Sequence, residues 1–189
     1  MKLSTQKTLE QLKSVLKNPE ATGPDPVYFV FMDVSEDKWA NITIIQNGKI
    51  GDEYPKTFGH YHSNPTPETY HLLAGSGILQ LAKKHMDGDT WVPEMVDAVY
   101  LVKVKPGEEI VITEEYAHSW SNVGEMPTIS YDDWRSGHQT SDYADVERLQ
   151  GLPYYLVEEN GEPKATPNPH YQNLPQPIWT TVEQFAKLR

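Results

Sequence analysis

Short strand-like segments separated by turn signals fill most of this 189-residue chain, and they limit the folds that it can adopt. Between residues 27 and 166, eight or more runs rich in aromatic and β-branched side chains alternate with turns containing Gly, Pro or Asn. Turn signals about every 8–12 residues are typical of a sandwich or barrel, and not of a sheet built from βαβ units. We therefore predict an all-β fold in which two Greek keys form a jelly roll.

The turn residues also predict where the elements begin and end. A short amphipathic helix is expected at 5–17, and no long helix before a short terminal one capped by Thr180 or Thr181. The Gly-Ser-Gly triplet at 75–77 predicts a tight hairpin. Strands are predicted at 27–34, 41–46, 56–62, 69–75, 77–85, 95–104, 109–113, 127–134 and 154–166, and the last segment carries a hairpin turn at Glu-Asn-Gly-Glu, residues 159–162.

Composition limits the classes of function. The formal net charge is −11, and basic residues occur at most in pairs such as Lys83-Lys84, so no nucleic acid partner is expected, because phosphate neutralisation needs clustered cations. The chain has no apolar run long enough for a membrane span and no secretory signal, so we expect a cytoplasmic protein without a membrane partner. Cysteine is absent, so a metal site must use His and carboxylate ligands.

Two histidines one residue apart, His60 and His62, are followed by Glu68 and, far downstream, by His118. Residues two apart on a β-strand point to the same face, so His60 and His62 can offer two imidazoles to one point. Glu68 opens the next strand-like run, and His118 lies in a second strand–turn–strand unit. Three imidazoles and a carboxylate suit a divalent first-row metal with open positions, as in catalytic sites. His71 is odd-spaced from Glu68, so we expect it to point away.

The spacing around these residues resembles the two motifs of the cupin superfamily. The segment at 59–75 resembles the first motif and the segment at 107–122 resembles the second, with Thr113 and Glu115 in place of the usual Pro and Gly. This resemblance implies a double-stranded β-helix, which is a jelly-roll barrel, with a short N-terminal helix and an extended Pro-rich C-terminal tail.

The expected organisation is a single cupin domain at 1–189. Its β-barrel core covers about 27–160, preceded by a helical N-terminal extension at 1–26 and followed by the Pro-rich tail at 161–189. The tail is expected to run over the surface and to embrace a partner subunit, which favours a homodimer.

Within the cupins, residues 24–170 more closely resemble the cupin-type phosphoglucose isomerases of archaea and some bacteria. The likeness is carried by the segments PDPVYFVF, NGKIGDEYPKTFGHYH and YYLVEENGEPKATPNPHY. It implies a metal-dependent enzyme that interconverts glucose 6-phosphate and fructose 6-phosphate. By position, the family's metal ligands match His60, His62, Glu68 and His118.

The resemblance also implies a set of substrate residues. The phosphate-binding positions of the family match Tyr28, Thr43, Thr57 and Gly59, and Tyr70 matches a tyrosine beside the sugar. From the residue types alone, the tyrosines would be core aromatics and the threonines ordinary strand residues.

One region departs from the family pattern. A family tyrosine on the strand after the second motif is Trp134 here, and the following loop is longer. Across that loop, His138 is matched to a catalytic position and Tyr143 to a substrate-binding position.

The chemistry of the residues agrees with an isomerase. Moving a proton between adjacent sugar carbons needs a base and stabilisation of an enediolate, and a divalent metal is a Lewis acid for the sugar oxygens. Glu68 is the candidate base, because it is the only carboxylate in the cluster, and Tyr70 and His138 complete the candidate catalytic set. A metal-assisted hydride shift would use the same residues, so both routes stay open.

We expect one divalent metal ion per chain and a small sugar phosphate as substrate. Fe²⁺ is expected first, while Ni²⁺, Mn²⁺ and Zn²⁺ also accept imidazole with carboxylate. Two alternatives stay open: another metal-dependent cupin enzyme such as an iron dioxygenase, and a non-catalytic sugar-binding cupin.

Overall fold

The computed structural model describes residues 1–188 and consists mainly of β-strands. The strands are β1 Lys2–Lys7, β2 Tyr28–Met32, β3 Asn41–Ile45, β4 Glu68–Ala74, β5 Gly77–Asp87, β6 Thr90–Val104, β7 Glu109–Ile112, β8 Tyr116–Asn122, β9 Thr128–Asp132, β10 Tyr154–Glu159, β11 Glu162–Pro167 and β12 Ile178–Thr181. The helices are α1 Leu9–Leu12, α2 Thr140–Arg148 and α3 Val182–Phe185, and a 3₁₀ turn covers Lys13–Val15. The all-β prediction is confirmed.

Two sheets enclose the core. The larger sheet has the strand order β1-β2-β3-β9-β4-β7, and the smaller has the order β12-β6-β5-β8. Leu72 and Ile112 from the larger sheet share one hydrophobic core with Leu81 and Trp120 from the smaller sheet, and all four are buried. Two sheets that bury their inner faces against each other form the expected jelly-roll sandwich. In the C-terminal tail, β12 pairs in parallel with β6 and so joins the smaller sheet.

The Gly-Ser-Gly triplet at 75–77 connects the two sheets. Its prediction as a hairpin is wrong, because β4 belongs to the larger sheet and β5 to the smaller. Gly75 has φ +87°, and a Cβ atom there would lie 2.6 Å from the carbonyl oxygen of Pro127. A Cβ atom on Gly77 would lie 2.6 Å from the Trp120 ring. Both glycines therefore allow the close packing at which the chain crosses between sheets.

The N-terminal extension begins with a strand. The helix predicted at 5–17 is wrong for its first residues, since β1 pairs antiparallel with β2 and becomes the edge of the larger sheet. The helix starts only at Leu9, where Thr8 caps it in a capping box with Gln11. The apolar helical spacing also starts at Leu9, and the polar residues before it have no apolar helical face to bury.

Helix α2 was not predicted. Its sequence is mostly polar, and only Tyr143, Val146 and the following Leu149 form an apolar stripe. So narrow a stripe is a weak helical signal. The short terminal helix is confirmed as α3, and its N-cap is Thr181. Among residues 1–188, no helix combines the length and apolarity that a membrane crossing requires.

A glycine substitution tests the crossing between the sheets. Gly75→Ala should lower the free energy of unfolding by about 3 kcal/mol or more, because the new methyl group meets the backbone of Pro127 and Thr128. Gly88→Ala is the matched control, since Gly88 also has a positive φ of +59° but no heavy atom within 4 Å. It should cost only about 1–2 kcal/mol. Urea denaturation measures both, and equal losses would contradict this role of Gly75.

Candidate metal centre and substrate cavity

Four candidate metal ligands converge at the inner side of the larger sheet. Glu68 is the first residue of β4, and His118 is the third residue of β8. His60 and His62 lie in a segment that was predicted as a strand at 56–62. That prediction is wrong, because this segment makes only isolated bridges and Gly59 turns it with φ +84°.

A pair of backbone hydrogen bonds places two of the histidines side by side. His60 N donates to His118 O at 3.1 Å, and His118 N donates to His60 O at 3.0 Å. Residues opposite each other in such a bridge project to the same face. Their imidazole centroids are 4.3 Å apart.

The ligand atoms are close enough to share one ion. His60 Nε2 lies 3.0 Å from His62 Nε2, and Glu68 Oε2 lies 3.2 Å from His62 Nε2 and 3.1 Å from His118 Nε2. The four ligand atoms all lie within 4.8 Å of one another. Ligands about 2.1 Å from a metal and at right angles to each other are about 3.0 Å apart. The donor set and its spacing therefore fit one divalent cation.

The polar atoms of this cluster are not satisfied by the protein alone. Glu68 Oε2 is fully buried and makes no hydrogen bond of acceptable geometry to the described residues, although two imidazole nitrogens are near it. His60 Nε2 and His62 Nε2 lie 3.0 Å apart and share one hydrogen bond, in which one ring donates its N–H to the lone pair of the other. An unsatisfied buried carboxylate oxygen is costly, and a cation at this point would satisfy Glu68 Oε2.

Burial and charge set the protonation states that a metal site needs. Burial, followed by the charges of the neighbouring imidazoles, lowers the pKa of His60 well below its usual value. Burial raises the pKa of Glu68, but His118 and His62 outweigh it and bring the value to about 2. At neutral pH the site thus holds a neutral imidazole at His60 and an ionised carboxylate, as ligation requires.

A cavity of 670 Å³ opens from this cluster along the inner face of the larger sheet. Its volume is in the range of small-molecule sites. Strand register explains which side chains line it, because partners in neighbouring strands share a face. The registered partners that line it are Lys7 with Tyr28, Val30 with Thr43, and Asp132 with both Asn41 and Tyr70.

The structure brings the four predicted phosphate residues into this one cavity. Tyr28, Thr43, Thr57 and Gly59 all line it. Thr57 Oγ1 accepts a hydrogen bond from Trp120 N at 3.0 Å and lies 3.2 Å from Ser119 Oγ, so its position is fixed. Burial raises the pKa of Tyr28 to about 12, so its hydroxyl stays a neutral donor.

The three remaining predicted residues also line the cavity. Tyr70 Oη lies 3.4 Å from His118 Nε2. The His138 ring lies 4.1 Å from the His60 ring, and burial lowers the pKa of His138 to about 4. Tyr143 reaches the cavity from α2 and packs edge-on against Phe58.

Trp134, which stands in place of the family tyrosine, lines the cavity as well. Its ring lies 4.1 Å from the His62 ring and stacks on His138 at 5.5 Å. Its Nε1 donates to Gly137 O at 2.9 Å and holds the turn that carries His138. The aromatic ring therefore orders the loop that departs from the family pattern.

A second buried carboxyl group, Asp132, was not singled out from the sequence. It lines the cavity and is 5% exposed. Its Oδ1 accepts hydrogen bonds from Asn41 Nδ2 and from Trp134 N at 3.1 Å. Burial, followed by the negative charge of Glu68, raises the pKa of Asp132 to about 7. The sequence indicated only that Asp132 lies near the end of a predicted strand. Whether its side chain faces the cavity depends on how β9 pairs with its neighbours, which the sequence does not show.

His71 lies on the other face of β4, as predicted. Its ring stacks on Trp39 at 5.4 Å, and Nδ1 lies 3.8 Å from Glu109 Oε1. Glu68 and Tyr70 alternate with it and face the cavity. His71 therefore serves as an internal control for the cluster.

Comparison with known proteins identifies the family. The family model for glucose-6-phosphate isomerase (GPI) matches residues 3–172. The chain belongs to the glucose-6-phosphate isomerase family. The predicted resemblance is thereby confirmed for most of the chain.

Similar proteins include glucose-6-phosphate isomerases of Pyrococcus and Thermococcus species. The glucose-6-phosphate isomerase of Pyrococcus abyssi (strain GE5 / Orsay) is 31% identical over 157 residues, covering 79% of this chain and 75% of that protein. That of Thermococcus kodakarensis (strain ATCC BAA-918 / JCM 12380 / KOD1) is 28% identical over 176 residues, covering 87% and 85%. Among solved structures, the Drosophila melanogaster CENP-C cupin domain has 12% identity and a TM-score of 0.36, covering 64% of this chain and 79% of that chain.

Replacing Asp132 should change how stability depends on pH. Between pH 3.8 and about 7 the folded protein holds a proton on Asp132 that the unfolded chain loses, so stability falls as pH rises through this window. Asp132→Asn keeps an oxygen for Asn41 and Trp134 but cannot ionise. At pH 8 the metal-free variant should be more stable than the wild type, by at most about 4 kcal/mol, and near pH 4 the two should be similar.

Urea unfolding with a chelator present measures this difference at both pH values. Asp89→Asn, at an exposed position in the β5–β6 turn, is the control and should show no such trend. A stability difference between Asp132→Asn and wild type that is the same at pH 4 and pH 8 would contradict the assigned state of Asp132.

Proposed function

We propose that this chain interconverts glucose 6-phosphate and fructose 6-phosphate with one divalent metal ion held by His60, His62, Glu68 and His118. The observation that carries the proposal is the convergence of these four buried side chains at one end of a cavity that also holds hydroxyl donors. Family membership supports the reaction, and the geometry supports the metal. Fe²⁺ remains the first expectation, and the expected homodimer and cytoplasmic location stay predictions.

The proposed roles follow from position in the cavity. Thr43, Thr57, Tyr28 and the backbone N–H of Gly59 would hold the phosphate group, because neutral donors are effective for an anion in a desolvated pocket. A bound divalent cation would supply Lewis-acid stabilisation of negative charge on the sugar oxygens.

Glu68 is the proposed base. Its Oε2 faces the imidazoles, which leaves Oε1 for the proton that moves between C1 and C2 of the sugar. Tyr70 and His138 are both neutral at pH 7, since burial raises the pKa of Tyr70 and lowers that of His138. They can donate to or accept from the sugar hydroxyls without adding charge to the cavity. A hydride shift between the same carbons remains the other route.

A coupled assay tests the proposed reaction. Protein supplied with Mn²⁺ or Fe²⁺ should form glucose 6-phosphate from fructose 6-phosphate, a chelator should abolish turnover, and added metal should restore it.

Glu68→Gln should lower kcat by a factor of about 10²–10⁴ at saturating metal, because the amide cannot accept the proton. Glu109→Gln, on the other face of the same sheet, should leave kcat unchanged.

The alternatives give different results in the same experiment. Oxygen consumption would favour a dioxygenase, and metal binding without turnover of any hexose phosphate would favour a sugar-binding cupin. Either result would refute the isomerase.

Turnover in D₂O separates proton transfer from the hydride shift. Deuterium on the product carbon would support Glu68 as the base. Unexchanged product together with an active Glu68→Gln variant would show that Glu68 is only a metal ligand.

A further inference from the structure

One cationic side chain lies in the wall of the cavity. Lys7, the last residue of β1, is half-buried there, and within residues 1–188 no other Lys or Arg lines this cavity. Its Nζ lies 5.5 Å from the centre of the Phe58 ring. No carboxylate of the described chain forms an ion pair with it, whereas Lys13 and Lys17, the next two lysines along the chain, each have one. The positive charge of Lys7 is therefore available to a ligand in the cavity.

Strand register places Lys7 beside the proposed phosphate donors. Lys7 is the registered partner of Tyr28 on β2, so both side chains lie on the inner face of the sheet. Phe58, which the ammonium group approaches, lies between Thr57 and Gly59 in sequence. The cation thus lies next to Tyr28 in register and near the Phe58 ring, on the segment that carries Thr57 and Gly59.

Charge is unevenly distributed along the cavity. Two buried carboxyl groups, Glu68 and Asp132, lie on β4 and β9, and a third, Glu147, is exposed on α2. In the strand order β1-β2-β3-β9-β4-β7, Lys7 lies on the edge strand β1, three strands away from Asp132 on β9 and four away from Glu68 on β4. At the β1 end, Lys7 is the only charged side chain among the described residues that line the cavity on β1, β2 and β3. A phosphate group held there would leave the sugar carbons to extend toward the metal ligands on β4 and β8.

Backbone hydrogen bonds fix the position of Lys7, whereas its ammonium group makes no hydrogen bond or ion pair with the described residues. Val27 N donates to Lys7 O at 2.8 Å, and Leu9 N donates to Asp25 Oδ1 at 3.1 Å at the start of α1. Farther along, the buried Lys56 donates to Val15 O at 2.6 Å and pairs with Glu53 at 2.5 Å, which fixes the 3₁₀ turn to the barrel. The N-terminal extension thus carries a lysine to a defined point on the cavity wall, from which its flexible stem can reach a ligand.

We propose that Lys7 binds the phosphate group of the substrate and makes the cavity selective for phosphorylated sugars. This inference rests on the proposed isomerase function and adds a charged partner to the neutral donors. It also assigns a role to the N-terminal strand, which completes the substrate site. The overall charge of −11 does not attract anions, so a local cation matters more here than in a basic protein.

Steady-state kinetics of Lys7 variants test this role. Lys7→Met keeps the apolar stem and removes the charge, and it should raise KM for fructose 6-phosphate by about 10- to 100-fold while changing kcat less than about threefold. Lys7→Arg should restore most of the affinity. Lys2→Met, at an exposed position on the same strand, should behave as wild type. The dependence of kcat/KM on ionic strength should also weaken in Lys7→Met.

Binding of inorganic phosphate gives a readout that does not need turnover. Isothermal titration of the metal-loaded proteins should show weaker phosphate binding by Lys7→Met than by wild type and by Lys2→Met. If wild type isomerises fructose 6-phosphate while Lys7→Met keeps wild-type KM and phosphate affinity, the inference fails and the proposed function stands. If wild type does not isomerise but Lys7→Met weakens phosphate binding, the proposed function fails and Lys7 remains an anion site. A fall in kcat without a change in KM, or no phosphate binding by wild type, would overturn the inference.

Discussion

The reciprocal backbone hydrogen bonds between His60 and His118 are the interaction on which the functional site depends. They join an irregular segment to β8 and place two imidazoles at a centroid distance of 4.3 Å. Gly59, with φ +84°, directs the chain into this bridge, and Glu68 closes the cluster from the larger sheet. The two sheets therefore each contribute ligands, and the site exists only when the sandwich is assembled.

Electrostatics then divides the cavity into two ends. At one end, burial keeps His60 neutral and the imidazoles keep Glu68 ionised, which suits a cation. Asp132 adds a carboxyl group whose pKa is raised to about 7 next to that end. At the other end, hydroxyl donors and Lys7 suit an anion. A sugar phosphate carries its reacting carbons and its phosphate at opposite ends, so its own polarity matches that of the cavity.

Much of this could be predicted from local spacing. His60, His62 and Glu68 lie within one short segment, and His118 is placed by a second motif, so the ligand set did not depend on knowing the register. Lys7 and Asp132 were missed because the face of a strand residue depends on its pairing partner, which no local pattern records. Helix α2 was missed because its apolar stripe is only one residue wide on each turn. The Gly-Ser-Gly triplet was assigned to a hairpin because its sequence signal is the same in a hairpin and in a crossing between sheets.

Metal content measures the central claim most directly. After loading with Mn²⁺ and exhaustive dialysis, elemental analysis should find one ion per chain in wild type and in His71→Ala, whose imidazole stacks on Trp39 on the other face of β4. His118→Ala should lose the ion while its circular dichroism shows a folded β-protein, because one of the four converging ligands is gone. Full metal content in His118→Ala, or an equal loss in His71→Ala, would contradict a metal centre built from these four residues.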